Sequence, residues 1–218
     1  MIQEVYHKAL RFFSSDQFDN EFLKSRIYFF QNSHVLDESS PQFFQRNQQF
    51  LDWYFFSRPL EKLRLPPSHC VFMFPNLRWS PEEVGVAERL KETVHSLFEI
   101  RKISSSSIQV FDLFDECKLE FRLVQGTEYF IKGQLFDGRY LKLDEGNYLF
   151  AGRCFHPEES YKFLKKSIEQ YKDNPDFNKE KFLLLTLKMR YLYDRHSNAR
   201  LEHIYSFHNR WFQNEEIS

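Results

Sequence analysis

The apolar positions of this chain follow two regimes. Over residues 1 to about 31 they recur three to five apart, at Val5, Leu10, Phe12, Phe13, Phe18, Phe22, Leu23, Ile27 and Phe30. That spacing puts them on one face of a helix. Ser14-Ser15-Asp16 interrupts the run and offers an N-cap for a second helix. A third helix is predicted from about Gln42 to Phe56 and ends at Ser57-Arg58-Pro59, because proline disfavours helical geometry in the residue before it. Ser80-Pro81-Glu82-Glu83 is a helix start with Ser at the N-cap, Pro at N1 and Glu at N3. That helix is predicted to reach about Phe98, with Val84, Leu90, Val94, Leu97 and Phe98 inward.

Ser104 to Ser107 breaks the pattern, and the period drops to about two. Short strands are predicted over 108–114, 119–123, 129–133, 140–143 and 148–155. Turn signals lie between them at Asp115-Glu116, Gln125-Gly126, Asp137-Gly138 and Glu145-Gly146-Asn147. Such a meander curls into a small barrel or packs on a helix. His156-Pro157-Glu158-Glu159-Ser160 opens a helix to about Tyr171, and a last helical region spans about 179–212, broken near 194–198. Its centre, Phe182 to Leu187, is apolar nearly all round, which predicts burial between other elements. The reading is therefore α+β: an N-terminal helical bundle over 1–103, a small five-stranded antiparallel sheet or barrel over 104–156, and C-terminal helices over 157–218 packing back into one compact structure.

At 218 residues the chain can bury a core without disulfides or metals. Aromatics reach 18% with 26 Phe, so they either fill that core or line a groove or interface. The formal net charge of −1 argues against a dedicated nucleic-acid binder. Cys70, Cys117 and Cys154 are odd in number and far apart, as free thiols in a reducing cytoplasm would be. The first residues are polar and no apolar run approaches 18 residues, which predicts a cytoplasmic location without membrane insertion.

Phe50-Leu51-Asp52-Trp53-Tyr54-Phe55-Phe56-Ser57-Arg58-Pro59-Leu60 resembles a Phe-x-x-Trp-aromatic…Arg-Pro-Leu segment of an uncharacterised bacterial protein family. Several of its members come from predatory and social Gram-negative bacteria. The resemblance, which covers about a third of the chain, implies a helical half followed by a small β-unit. It implies a bacterial cytoplasmic origin and no activity.

The phosphate-loop, dinucleotide, HExxH, GxSxG and EF-hand signatures are absent, and no cofactor is predicted. Among eight histidines and three cysteines, Cys154 and His156 are the best-placed pair, because residues two apart on a strand share a face. They read as a buried thiol beside a surface or capping histidine, or as the centre of a metal or thiol site. Arg190, Arg195, Arg200 and Arg210 alternate with Tyr191, Tyr193, Tyr205 and Trp211, but that region carries as many acidic as basic residues. Three hypotheses follow. The leading one is a non-enzymatic interaction or adaptor protein with another protein as its partner. Its anchors would be Trp53, Tyr54, Phe55 and Phe56, since four successive aromatics on a helix cannot all enter one core unless the helix is buried on two sides. The alternative is a nucleic-acid- or nucleotide-binding module on the β-unit, with Lys132, Arg139, Lys142 and Arg153 as anion contacts. The third is an enzyme centred on Cys154 and His156.

Overall fold

The computed structural model describes residues 1–33, 42–122, 130–144, 146–196 and 198–207. Helices α1 (Ile2–Phe13), α2 (Asp19–Asn32) and α3 (Phe43–Phe56) form the N-terminal bundle. α1 buries Val5, Tyr6, Ala9, Leu10 and Phe13, one stripe at helical spacing. The serines after it close this helix and do not open the next: Ser14 Oγ donates to the Leu10 carbonyl at 2.8 Å and Ser15 Oγ to that of Phe12 at 2.7 Å. α3 is buried on two sides, which is how its aromatic run is absorbed.

The capping box at Ser80 forms as predicted, with Ser80 N–H donating to Glu83 Oε2 at 2.8 Å. The helix it opens, α4 (Pro81–Arg89), is shorter than expected. After a 3-10 turn the chain enters strand β1 (Val94–Ile103). Val94, Leu97 and Phe98 suit a helical face, but this segment lies between two apolar layers. A strand covered on both faces lacks the apolar–polar alternation that marks a half-exposed one.

The remaining strands are β2 (Ser107–Asp112), β3 (Lys118–Arg122), β4 (Leu135–Leu143), β5 (Gly146–Leu149) and β6 (Cys154–Phe155). They pair in the order β1-β2-β3-β5-β4, and β4 pairs back onto β1, which closes a five-stranded barrel. β6 continues along the β4 edge beyond β5. The barrel is mixed, not purely antiparallel, because β3 and β5 run parallel. The four serines form the β1–β2 hairpin, where Ser104 N–H donates to the Ser107 carbonyl at 2.8 Å.

The strand expected over 129–133 is not one: Tyr129 lies outside the described residues, and Phe130 to Gly133 form a turn with Gly133 at φ +86°. The true strand, β4, runs straight through Asp137-Gly138, the expected turn. Of the other expected turns, Gln125-Gly126 and Glu145 fall outside the described residues. Inside the barrel Phe98, Ile100, Ile108, Val110, Phe121, Phe136 and Tyr140 form an apolar core. Leu135 and Leu141 point the other way, into cores shared with the helices.

Helices α5 (Tyr161–Tyr171), α6 (Lys179–Arg195) and the short α7 (Leu201–Ile204) pack back on the barrel through Leu164, Ile168, Phe182, Leu183 and Leu185. The apolar centre of α6 is buried as expected. No helix among the described residues is long and apolar enough to cross a membrane.

Candidate functional site

β4 alternates strictly. Phe136 and Tyr140 face the barrel interior, so Asp137 and Arg139 face outward with Leu135 and Leu141. That outer wall is covered by α3 and α6, so both charged side chains are buried. Burying charge is costly unless each group finds a partner. Cross-strand register supplies some: His95 on β1 lies opposite Arg139, and Cys154 on β6 lies opposite Asp137. His156, two residues after Cys154, shares its face. Asp52 on α3 and Glu180 in the first turn of α6 close the cluster from the helical side.

Arg139 donates from one guanidinium nitrogen to both Glu180 oxygens, at 2.9 and 3.1 Å, and to Ser57 Oγ at 2.6 Å. His95 Nδ1 meets Glu180 at 3.1 Å. Burial pushes the Glu180 carboxyl up, but the Arg139 and His95 charges outweigh it and hold this group well below the usual carboxylate range. Asp137 is likewise held low against burial, by the two imidazoles facing it. A depressed folded-state pKa contributes stability above the unfolded pKa, and that contribution is lost as pH falls toward the folded value. Stability is therefore expected to fall from about pH 5 into strong acid, and Glu180→Gln should flatten that slope. Denaturation midpoints measured across this range check it; an unchanged slope in Glu180→Gln would count against the ion pair. The Glu180 carboxylate is 40% exposed, so solvent reduces the size of its share.

Asp52 is held by two donors. Tyr6 Oη–H donates to Oδ1 at 2.6 Å and Gly152 N–H donates to Oδ2 at 2.9 Å. Burial still pushes its pKa up. A Cβ at Gly152 would sit 2.4 Å from Asp52 Oδ2 and 3.0 Å from the Gln48 carbonyl oxygen, so only glycine fits there.

Asp137 stands between two imidazoles. His95 Nε2 is 3.7 Å from its Oδ1, and His156 Nε2 is 3.7 Å from its Oδ2. Both separations are too long for hydrogen bonds. Asp137 Oδ2 and His156 Nε2 are buried without a hydrogen-bond partner. One donor atom from each of Asp137, Cys154 and His156 lies within 4.8 Å of the others, a set able to hold a metal ion. The space bordered by Asp52, His95, Asp137, Arg139, Gly152 and Glu180 measures about 20 Å³. That is room for about one water molecule. Burial, followed by the Asp137 charge, pushes the Cys154 thiol well up, so it is not a ready nucleophile.

The other residues singled out in the sequence are dispersed. Tyr54, Phe55 and Phe56 are buried, and the Tyr54 hydroxyl donates to the Phe13 carbonyl at 2.7 Å. Trp53 is half-buried and stacks on Tyr28 at 5.8 Å, with Arg58 over both rings. Three of the four proposed anchors thus have no surface to offer. Lys132 and Lys142 are exposed, whereas Arg139 and Arg153 are buried, so the four cations share no single surface. Arg190 turns inward to the Phe155 carbonyl at 2.6 Å and to Asp194, while Tyr191 and Tyr205 are buried. Arg210 and Trp211 lie outside the described residues. Sequence reading finds Cys154 and His156 but misses Asp52, His95, Asp137 and Glu180. The available signal was the repeated i, i+2 spacing of Asp137 with Arg139 and of Cys154 with His156.

A wider groove of about 690 Å³ opens between the turn at Ser68–Phe72, α4 and the end of β4. Val71, Phe72, Val86 and Leu143 give it an apolar lining, and Glu88, Arg89, Lys91 and Asp144 stand around it. Comparison of the chain with protein-family models, curated proteins and solved structures finds no match.

Proposed function

We propose that the chain is a non-enzymatic binding protein that engages another protein through the groove beside α4. One observation carries this reading: Phe72, which lines that groove among apolar and charged residues, is 52% exposed, and its chain neighbour Met73 is 53% exposed. An apolar centre with a polar rim is the ordinary anatomy of a protein contact. A cytoplasmic, bacterial setting belongs to the same proposal, and three unpaired cysteines suit a reducing compartment. The nucleic-acid reading is weaker, because two of its four cations are buried.

The test is site-specific photo-crosslinking in the native cell. A crosslinker at position 72 should capture a defined partner, and one at Ile131, which is 63% exposed and outside the groove, should not. The double change Phe72→Ser, Met73→Ser should abolish capture with less than about 0.5 kcal/mol loss of stability, as expected for exposed positions. Equal capture from both positions, or capture unchanged by the double substitution, would refute the groove as the contact surface.

A further inference from the structure

We propose that Asp137, Cys154 and His156 bind a zinc ion between β4 and β6. The register places the set: Asp137 and Cys154 are direct antiparallel partners, and His156 follows Cys154 on the same face. Tetrahedral zinc bonds of about 2.0 to 2.3 Å separate their ligand atoms by roughly 3.3 to 3.8 Å. The Asp137 Oδ2 to His156 Nε2 separation of 3.7 Å falls within that range. It is also the distance at which neither atom satisfies the other by a hydrogen bond. Two buried polar atoms facing each other in this way leave a place for a third body.

The surroundings fix the orientation of the imidazole. His156 Nδ1 lies 3.2 Å from the Tyr205 hydroxyl, so that nitrogen is engaged there. Nε2 is then the nitrogen turned toward Asp137. A histidine ligand oriented by a hydrogen bond through its other nitrogen is the usual arrangement at zinc.

Charge and ligand type select the ion. A doubly charged cation with one carboxylate and one thiolate makes a neutral unit, which a buried position favours. Sulfur, nitrogen and oxygen together suit zinc over magnesium or calcium, which take oxygen ligands. Binding transfers the Cys154 proton to solvent and involves no redox change. Three protein ligands leave the fourth position to a water molecule.

The full-length protein, stripped by a chelator and titrated with Co²⁺ as a spectroscopic stand-in for Zn²⁺, tests this. One equivalent should bind with a thiolate-to-cobalt charge-transfer absorption and the intense visible bands of a tetrahedral ion. Zn²⁺ should displace it and Mg²⁺ should not. Cys154→Ser should lose the charge-transfer band, whereas Cys70→Ser and Cys117→Ser keep it. Tyr205→Phe should weaken binding about 10- to 100-fold through the lost orientation of His156. A folded wild-type protein that gives no thiolate band, or a band that survives Cys154→Ser, overturns the proposal; the first result needs no variant to fold.

Discussion

Gly152→Ala is expected to cost about 3 kcal/mol or more, since it combines overpacking with a broken buried hydrogen bond. The added methyl would lie 2.4 Å from Asp52 Oδ2 and 3.0 Å from the Gln48 carbonyl oxygen. Asp52 cannot yield easily, because its other oxygen holds the Tyr6 hydroxyl at 2.6 Å and its side chain is buried. The Gln48 carbonyl belongs to the backbone of α3 and yields less still. Relief requires the 150–153 loop to move, which breaks the Gly152 N–H bond to Asp52 and strands a buried carboxylate oxygen. Gly85 is the control. Nothing lies within 4 Å of a Cβ there, and the residue is in the interior of α4, so Gly85→Ala should stabilise by about 0.5 to 1 kcal/mol. Urea denaturation of both variants decides the matter. A Gly152→Ala protein within about 0.5 kcal/mol of wild type would mean that the contact is not rigid.

Elements whose instructions are local were legible in the sequence. α1 buries one apolar stripe, and Ser80 with Glu83 marks the start of α4 by capping chemistry contained in four residues. β2 and β3 alternate because one of their faces is open. β1 and the first half of β4 were misread for one shared reason, while the strand expected over 140–143 is the end of β4. Both are covered on two sides, by the barrel core and by the helices, so the period-two signal vanishes. In β4 the difficulty is compounded by Asp137-Gly138, a strong turn pair in isolation. Here Gly138 stands where a Cβ would meet Arg153 Cγ at 3.3 Å and the Phe136 ring at 3.4 Å, and Asp137 is part of the polar cluster. The pair looked like a turn because the demands of a close approach and a buried carboxylate select the same two residue types.

The cluster was legible only where its members are neighbours in sequence. Cys154 and His156 are two apart and share a face by strand geometry. Arg139 and Glu180 are 41 residues apart, and Asp52 and Gly152 are 100 apart. No period or motif joins them; barrel closure and the docking of α3 and α6 do. The four successive aromatics of α3 carried a different ambiguity. Their count showed that the helix must be covered on more than one side, but not whether the cover is a partner or the chain itself. For Tyr54, Phe55 and Phe56 it is the chain itself.

Glu180→Ala should destabilise by about 3 kcal/mol, near the lower end of the range for breaking a buried ion pair, and Arg139→Met should cost less. The asymmetry follows from exposure. The Arg139 side chain is 4% exposed and that of Glu180 is 40% exposed. Removing the carboxylate leaves a buried guanidinium whose remaining hydrogen-bond neighbours among the described residues are Ser57 and the His95 ring. Removing the guanidinium leaves a carboxylate that can turn outward and hydrate, while methionine fills much of the vacated apolar path beside Phe56. The double variant should therefore be more stable than the sum of the two single losses predicts, with a coupling of about 1 to 3 kcal/mol, as for residues in direct contact. Chemical denaturation of the two single variants and the double variant supplies the cycle. If Arg139→Met proved the more damaging single change, Asp52 and not Glu180 would be the group that most needs the Arg139 charge, since it is the other buried carboxylate on which that charge acts against burial.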